Sequence, residues 1–246
     1  MRKKSVEDRG NDRSAIIYRA LRHAIMEQAL APGAKLPEDS IGEQFGASRT
    51  IVRHVLARLA AEGLVELRRN HGATVAEPSW EEARDTFEVR SAVEERVVAK
   101  LAGKLTKEQI ARLKSHVDAE EKARGNNEPL SIRLASEFHV LLAEITGSTV
   151  LQRYVNELAS RCGLMLALYS RPHSSECAVT EHRDIINALI KGDSARARAV
   201  MTSHLDAVVA RAVIPAAGPR EREIAKVLER YAVAAKPATQ SRRPKK

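Results

Sequence analysis

Apolar side chains recur three and four residues apart along most of the chain, a spacing that predicts helices rather than strands. Ala15, Ile16, Ala20, Leu21, Ala24 and Ile25 define a helix over 13–29, preceded by a polar stretch, 1–11, expected to be disordered. Ala31-Pro32-Gly33 stops that helix, and Leu36-Pro37 makes an extended entry to the next element. Ile41 and Phe45 share one face of a short helix over 38–45, broken by Gly46-Ala47. Ser48 is placed as an N-cap, and Ile51, Val52, Val55, Leu56 and Leu59 carry a helix to Glu62 with Gly63 as its C-cap. Two short runs, 64–67 and 73–76, then read as strands joined through Gly72, which can take positive φ.

Beyond Pro78-Ser79 the period is helical again, with helices expected over 80–102, 107–124, 129–146, 149–170, 176–191 and 194–213. Their short connections favour an antiparallel bundle. Pro215 and Pro219 interrupt the pattern ahead of a short amphipathic helix, 220–234, and a basic, proline-containing end, 236–246. The expected fold is mainly α: a winged helix-turn-helix with a small β-hairpin wing over 12–78, an all-α antiparallel helical bundle over 79–214, and a basic tail over 215–246.

Charge sharpens this division. The chain of 246 residues carries a net +9, distributed as +3 over 1–78, zero over 79–214 and +6 over 215–246. A neutral body between basic ends suits a polyanion that meets only part of the molecule. No apolar run approaches the ~20 residues a membrane helix needs, so no membrane partner is expected. The basic start, Met1-Arg2-Lys3-Lys4, lacks the apolar segment of a secretory signal. Cys162 and Cys177 form no framework, and a reduced, cytoplasmic protein is the expectation.

The helix beginning at Ser48 divides its labour. Its apolar positions can pack inward, while Ser48, Arg49, Thr50 and Arg53 crowd its N-terminus, with Arg49 and Arg53 on one face. Backbone N–H groups there suit a phosphate, and arginine forks suit guanine. His71-Gly72 lies where a wing tip would reach the minor groove or the backbone. On these residues alone, a solvated helix face with two arginines explains the pattern equally well. The preceding turn, short helix and following hairpin favour double-stranded DNA.

Residues 21–76 resemble the N-terminal domain of the GntR family of bacterial transcription regulators. The resemblance rests on Leu36-Pro37-Glu38, Ser48-Arg49-Thr50-Ile51-Val52-Arg53, Leu59-Ala60-Ala61-Glu62-Gly63-Leu64-Val65 and His71-Gly72-Ala73. It implies DNA contacts from Ser48, Arg49, Thr50, Arg53, His71 and Gly72. Where family members can carry a DNA-touching arginine in the preceding helix, this chain has Asp39.

Three histidines, His139, His182 and His204, fall on three different expected helices beside apolar residues. By spacing alone, buried histidines satisfied by hydrogen bonds explain them better than a metal does. Residues 80–213, however, resemble the FCD domain of the FadR-like branch, through Val89-Arg90-Ser91-Ala92-Val93-Glu94, Glu137-Phe138-His139, the run from Glu181-His182-Arg183-Asp184 to Gly192-Asp193, and Met201-Thr202-Ser203-His204-Leu205. That resemblance implies a divalent metal (zinc, nickel or manganese) on the three histidines. It also implies an aspartate one turn before the first, and here that position is Ala135. Arg90 is expected either to face a small organic acid effector or to form a salt bridge with Glu94, on the surface or at a dimer interface. Arg133, Asn187 and Tyr169 are further candidates to line a cavity.

The functional expectation is a transcription regulator, a repressor by the commoner mode of such families, that binds a palindromic operator as a homodimer. A bundle-bound effector would shift its DNA affinity. Two alternatives stay open at this point: a three-histidine metal-dependent hydrolase and an effector-independent DNA-binding protein. The hydrolase lacks a general base, because Glu181 should point away from His182 on a helix, so no enzymatic activity is expected.

Overall fold

The structure, a computed structural model, describes residues 6–69, 71–169, 178–211 and 224–234, and only the backbone of residues 6–12, 169, 211, 233 and 234. The chain runs α1 (Val6–Met26), α2 (Glu38–Phe45), α3 (Arg49–Ala61), β1 (Val65–Arg68), β2 (Gly72–Val75), α4 (Trp80–Leu101), α5 (Lys107–Ala123), α6 (Glu128–Ile145), α7 (Thr149–Tyr169), α8 (Ala178–Lys191), α9 (Ser194–Arg211) and α10 (Ile224–Ala234). Strand β1 starts one residue later than expected and β2 one residue earlier, while the expected starts of α7 and α9 and the expected end of α8 agree with these bounds. Tyr169 as a cavity residue and Cys177 lie outside the described side chains.

The first helix differs from expectation. It starts at Val6, inside the stretch expected to be disordered, and it ends at Met26. Past that end the backbone turns out through Gln28, at φ 55°, while the N–H groups of Ala29 and Leu30 both donate to the Ala24 carbonyl.

The N-terminal unit closes on an apolar core from α1 (Ile17, Leu21, Ile25), α2 (Ile41), α3 (Val52, Val55, Leu56, Leu59) and the hairpin (Val65, Val75). The strands pair antiparallel, Val65 with Val75 and Arg68 with Gly72. A bridge from Lys35 to Thr74 ties the α1–α2 connection to this sheet. Burying each such Leu, Ile or Val stabilises the unit by roughly 1.5–3 kcal/mol.

Helices α4–α9 form the bundle, with α4 packed between α7 and α9, α5 against α6 and α8, and α8 against α9. Thr106 and Gln109 close a reciprocal capping box at the start of α5, and Ser79 caps α4.

The short helix expected over 220–234 is present as α10 where those residues are described, and its docking is what the reading of 215–246 as a tail lacked. Helix α10 packs on α1 and α2, and Val227, Leu228 and Tyr231 enter the N-terminal core. Its amphipathic pattern finds an apolar partner on the N-terminal unit. On the bundle side, Arg22 of α1 donates to Asn156 and Ser160 of α7, and Arg133 of α6 to Glu27, just past the end of α1.

Candidate DNA interface and metal centre

Helices α2 and α3 meet through a tight turn. Gly46 takes the left-handed conformation, at φ 58°, and its N–H closes onto the Glu43 carbonyl. Gly42 lies against the turn so closely that a Cβ there would sit 2.8 Å from the Ala47 carbonyl oxygen. Ser48, extended at φ −72° and ψ 155°, caps α3 by accepting from the Ile51 N–H. Val52, Val55, Leu56 and Leu59 are buried, whereas Ser48, Arg49, Thr50 and Arg53 are exposed together at the N-terminal end of the helix. His71 and Gly72 are exposed at the hairpin tip, where Gly72 has φ 79°. All six residues expected at a DNA surface are therefore accessible, in two groups on α3 and the wing.

The sequence reading did not anticipate the partners of the two arginines. Arg49 donates from Nε and, at 2.7 Å, from a terminal nitrogen to the two carboxylate oxygens of Asp39. Arg53 donates from Nε to both oxygens of Glu38, at 2.9 and 2.8 Å. Both acids stand in the first turn of α2, where the helix dipole alone would justify them.

In the bundle, α6 brings His139, α8 brings His182 and α9 brings His204 to one point. The three side chains are at most 3 % exposed, and one ring nitrogen from each lies within 4.8 Å of the others. The Nε2 atoms of His139 and His204 are 3.2 Å apart, and His182 Nε2 is buried with no hydrogen-bond partner. Phe138 stacks on the His182 ring, with centroids 4.1 Å apart.

Each histidine is held from behind by a carboxylate. The Nδ1–H of His139 donates to Glu94 at 2.5 Å, that of His182 to Glu120 at 2.8 Å and that of His204 to Glu181 at 2.6 Å. This fixes the tautomer and leaves each Nε2 lone pair facing the common centre. Burial pushes the His139 imidazole down to about 3 and His182 well below its ordinary value, so both are neutral near pH 7.

The carboxylates are not equivalent. Burial opposes charge on Glu94, but its contacts with His139 and the Arg90 guanidinium outweigh this and hold it at about 2. Burial pushes the Glu120 carboxyl up to about 7, against smaller opposing pulls from His116, His204, Arg124 and Arg183.

Arg90 forms the pair expected with Glu94. It is 4 % exposed, and its Nε donates to Glu94 at 2.6 Å. The salt bridge with Glu94 exists, but inside the bundle rather than on its surface. Arg90 reaches the histidines through Glu94.

Glu181 turns away from His182 as expected, but not away from the cluster. It does serve the cluster, reaching across to His204 rather than to its neighbour His182. Asn187 is exposed, and Arg133 pairs with Glu27 and Glu137. Ala135 brings no ligand atom.

A signal for the missed carboxylates was present in the sequence. Glu94 falls on the stripe of Phe87, Val97, Val98 and Leu101, and Glu120 continues the stripe of Leu113 and Val117. An acid on an apolar stripe needs a buried partner.

The FCD domain model matches residues 85–207, and the model described as bacterial regulatory proteins, gntR family, matches residues 13–75. This chain belongs to the GntR family and carries an FCD domain. The regulator is 27% identical over 194 residues to the HTH-type transcriptional repressor RspR of Escherichia coli, covering 78% of this chain and 85% of that one. It is 29% identical over 224 residues to the Uxu operon regulator of Haemophilus influenzae, covering 84% of each. Its fold is that of E. coli McbR/YncC, at a TM-score of 0.71 and 23% identity, over 80% of this chain and 95% of that one. A GntR regulator from Rhodococcus matches with the same TM-score, 0.71, at 22% identity, over 80% of this chain and 96% of that one. The regulator is a DNA-binding transcription regulator of mainly α fold. No helix among its described residues is long and apolar enough to cross a membrane.

Proposed function

We propose that this regulator is a homodimeric repressor that binds a palindromic operator through α3 and the wing, and that a small organic acid in the bundle modulates its DNA affinity with the help of a divalent metal. Zinc, nickel and manganese suit His139, His182 and His204 as ligands. The single observation behind this reading is the orphaned, fully buried Nε2 of His182, which faces two other imidazoles whose Nδ1 atoms are all held by carboxylates. A buried acceptor left unpaired costs about 1–3 kcal/mol, and a cation on the three lone pairs would remove that cost.

The residues fit such an ion. Three neutral imidazoles would bind it, and Glu94, Glu120 and Glu181 would orient them and balance its charge. A bound divalent ion would supply a Lewis-acidic position for a carboxylate oxygen. Because Ala135 contributes nothing, that position stays open to a ligand. Arg90 fixes Glu94, and Glu94 fixes His139.

At the DNA surface, Ser48, Thr50 and the α3 N-terminus would hold a phosphate. Arg49 would reach base edges in the major groove and Arg53 a flanking phosphate, while His71 and Gly72 would approach the neighbouring backbone or minor groove. In this reading the protein acts by binding, and each carboxylate of the cluster serves to hold an imidazole.

The experiment is to select an operator from randomised duplex DNA with the full chain. Its affinity is then measured on chelator-treated and metal-reloaded protein, with and without a panel of small carboxylic acids. The proposal expects at least one acid to change operator affinity severalfold on reloaded protein only. Identical affinities in every condition would refute the coupling.

A further inference from the structure

We propose that Asp39 is a specificity-determining residue of the DNA surface: it clamps the guanidinium plane of Arg49 so that the free edge of the fork is aimed at a guanine. The inference rests on the reading of Arg49 as a base-contacting residue.

The hydrogen-bond geometry carries the argument. A guanidinium has five N–H donors in one plane. Arg49 uses two of them, one on Nε and one on a terminal nitrogen, against both oxygens of Asp39. Such a side-on pair fixes the plane as well as the position of the group. The three donors left over include the pair at the far end of the fork, and that pair matches the O6 and N7 acceptors of guanine in the major groove.

Arg53 is held differently. Only its Nε meets Glu38, which accepts on both oxygens. All four terminal N–H groups remain, and one donor does not fix the plane. Arg53 is thus tethered but free to turn toward a phosphate, whereas Arg49 is oriented.

The charges have a second consequence. Asp39 offsets the positive charge of Arg49 beside a polyanion, so it lowers attraction to any DNA while sharpening preference for the right base pair. Both side chains are more than half exposed, at 66% and 58%, so the pair adds little to folding. Its value lies in orientation.

The test uses the full-length protein, a duplex selected from a randomised library by the wild type, and a scrambled duplex of the same composition. Binding is followed over a salt series for Asp39→Ala, Asp39→Asn, Arg49→Ala and the Arg49→Ala/Asp39→Ala double variant, with folding checked by circular dichroism. For Asp39→Ala the inference expects severalfold tighter binding to the scrambled duplex and an increase of about one in the salt slope. It also expects the selected-to-scrambled ratio to fall by about tenfold, at the same base pair where Arg49→Ala loses preference. Asp39→Asn, which keeps one acceptor, should give an intermediate ratio. The double variant should show no further loss of preference beyond Arg49→Ala.

An unchanged ratio in Asp39→Ala, with Arg49→Ala defective, overturns this inference alone. An unchanged ratio in Arg49→Ala overturns the base-reading role of Arg49 and the inference with it.

Discussion

The hydroxyl of Tyr231, in the last helix, donates to the carboxylate of Glu27, just past the end of the first, at 2.5 Å. The other oxygen of Glu27 accepts from Arg133, on the helix that carries His139, at 2.9 Å. One carboxylate thus joins the C-terminal helix, the N-terminal unit and the bundle.

This junction gives a first prediction. Tyr231→Phe removes a part-buried hydrogen bond to a charged acceptor and should lower stability by about 1–2 kcal/mol in urea unfolding. Ending the chain at residue 223 also uncovers the apolar positions packed against Val227 and Leu228. It should speed amide exchange in α1 and α2, with much less effect in α5 and α8. Uniform exchange across both units would show that α10 does not serve the N-terminal core.

The recognition helix gives a second. Arg49→Ala should weaken binding to the selected operator by about 1–3 kcal/mol per site and relax base preference at one position. Arg53→Ala should weaken binding to operator and scrambled duplex alike and reduce the salt slope by about one. Titrations over a salt series separate the two, and matching profiles would contradict the division of roles.

The carboxylates behind the histidines give a third. Glu120→Gln keeps the shape of the side chain but removes its charge. It should weaken zinc binding by about 10–100-fold in competition with a fluorescent chelator. Arg90→Met leaves Glu94 as an uncompensated buried charge and should cost about 3–5 kcal/mol of stability. A variant as stable as the wild type would mean that Glu94 does not depend on Arg90.

Acid should destabilise the metal-free protein. Burial lowers the folded-state values of His139, to about 3, and of His182 below the unfolded value near 6.5. Above pH 6.5 neither state binds these protons. Below it the unfolded chain binds them and the folded chain does not, so the stability is lost as pH falls from 6.5 toward 3. Each histidine contributes up to about 1.4 kcal/mol per pH unit in that window. Melting of chelator-treated protein at pH 7.5 and 5.5 measures the effect, and His182→Asn should flatten it. The Glu120 carboxyl, raised to about 7, takes up a proton in the folded state over the same window and offsets part of this loss, so a pH dependence left unchanged by His182→Asn is the result that would contradict the assignment of neutral imidazoles.

Much of this architecture was legible in the sequence because its signals are local. The apolar spacing of α3, its Ser48 cap and the left-handed Gly46 and Gly72 are properties of a few adjacent residues. The three histidines stood out by residue type against an apolar background. What escaped were pairings between distant segments. Nothing near Asp39 says that Arg49 will turn back to it, and nothing near Glu120 names His182 as its partner, 62 residues away. The docking of α10 depends on an apolar surface on α1 and α2 that exists only once the N-terminal unit has folded. The start of α1 at Val6 escaped for another reason: a polar helix has no periodic apolar signal to read.

The most direct test of the metal-site reading is the zinc content of full-length protein, stripped with chelator, reloaded and freed of excess ion, beside His182→Ala treated in the same way. The reading predicts one zinc per chain in the wild type and almost none in the variant. No retained zinc in the wild type, or equal retention in both proteins, would contradict it.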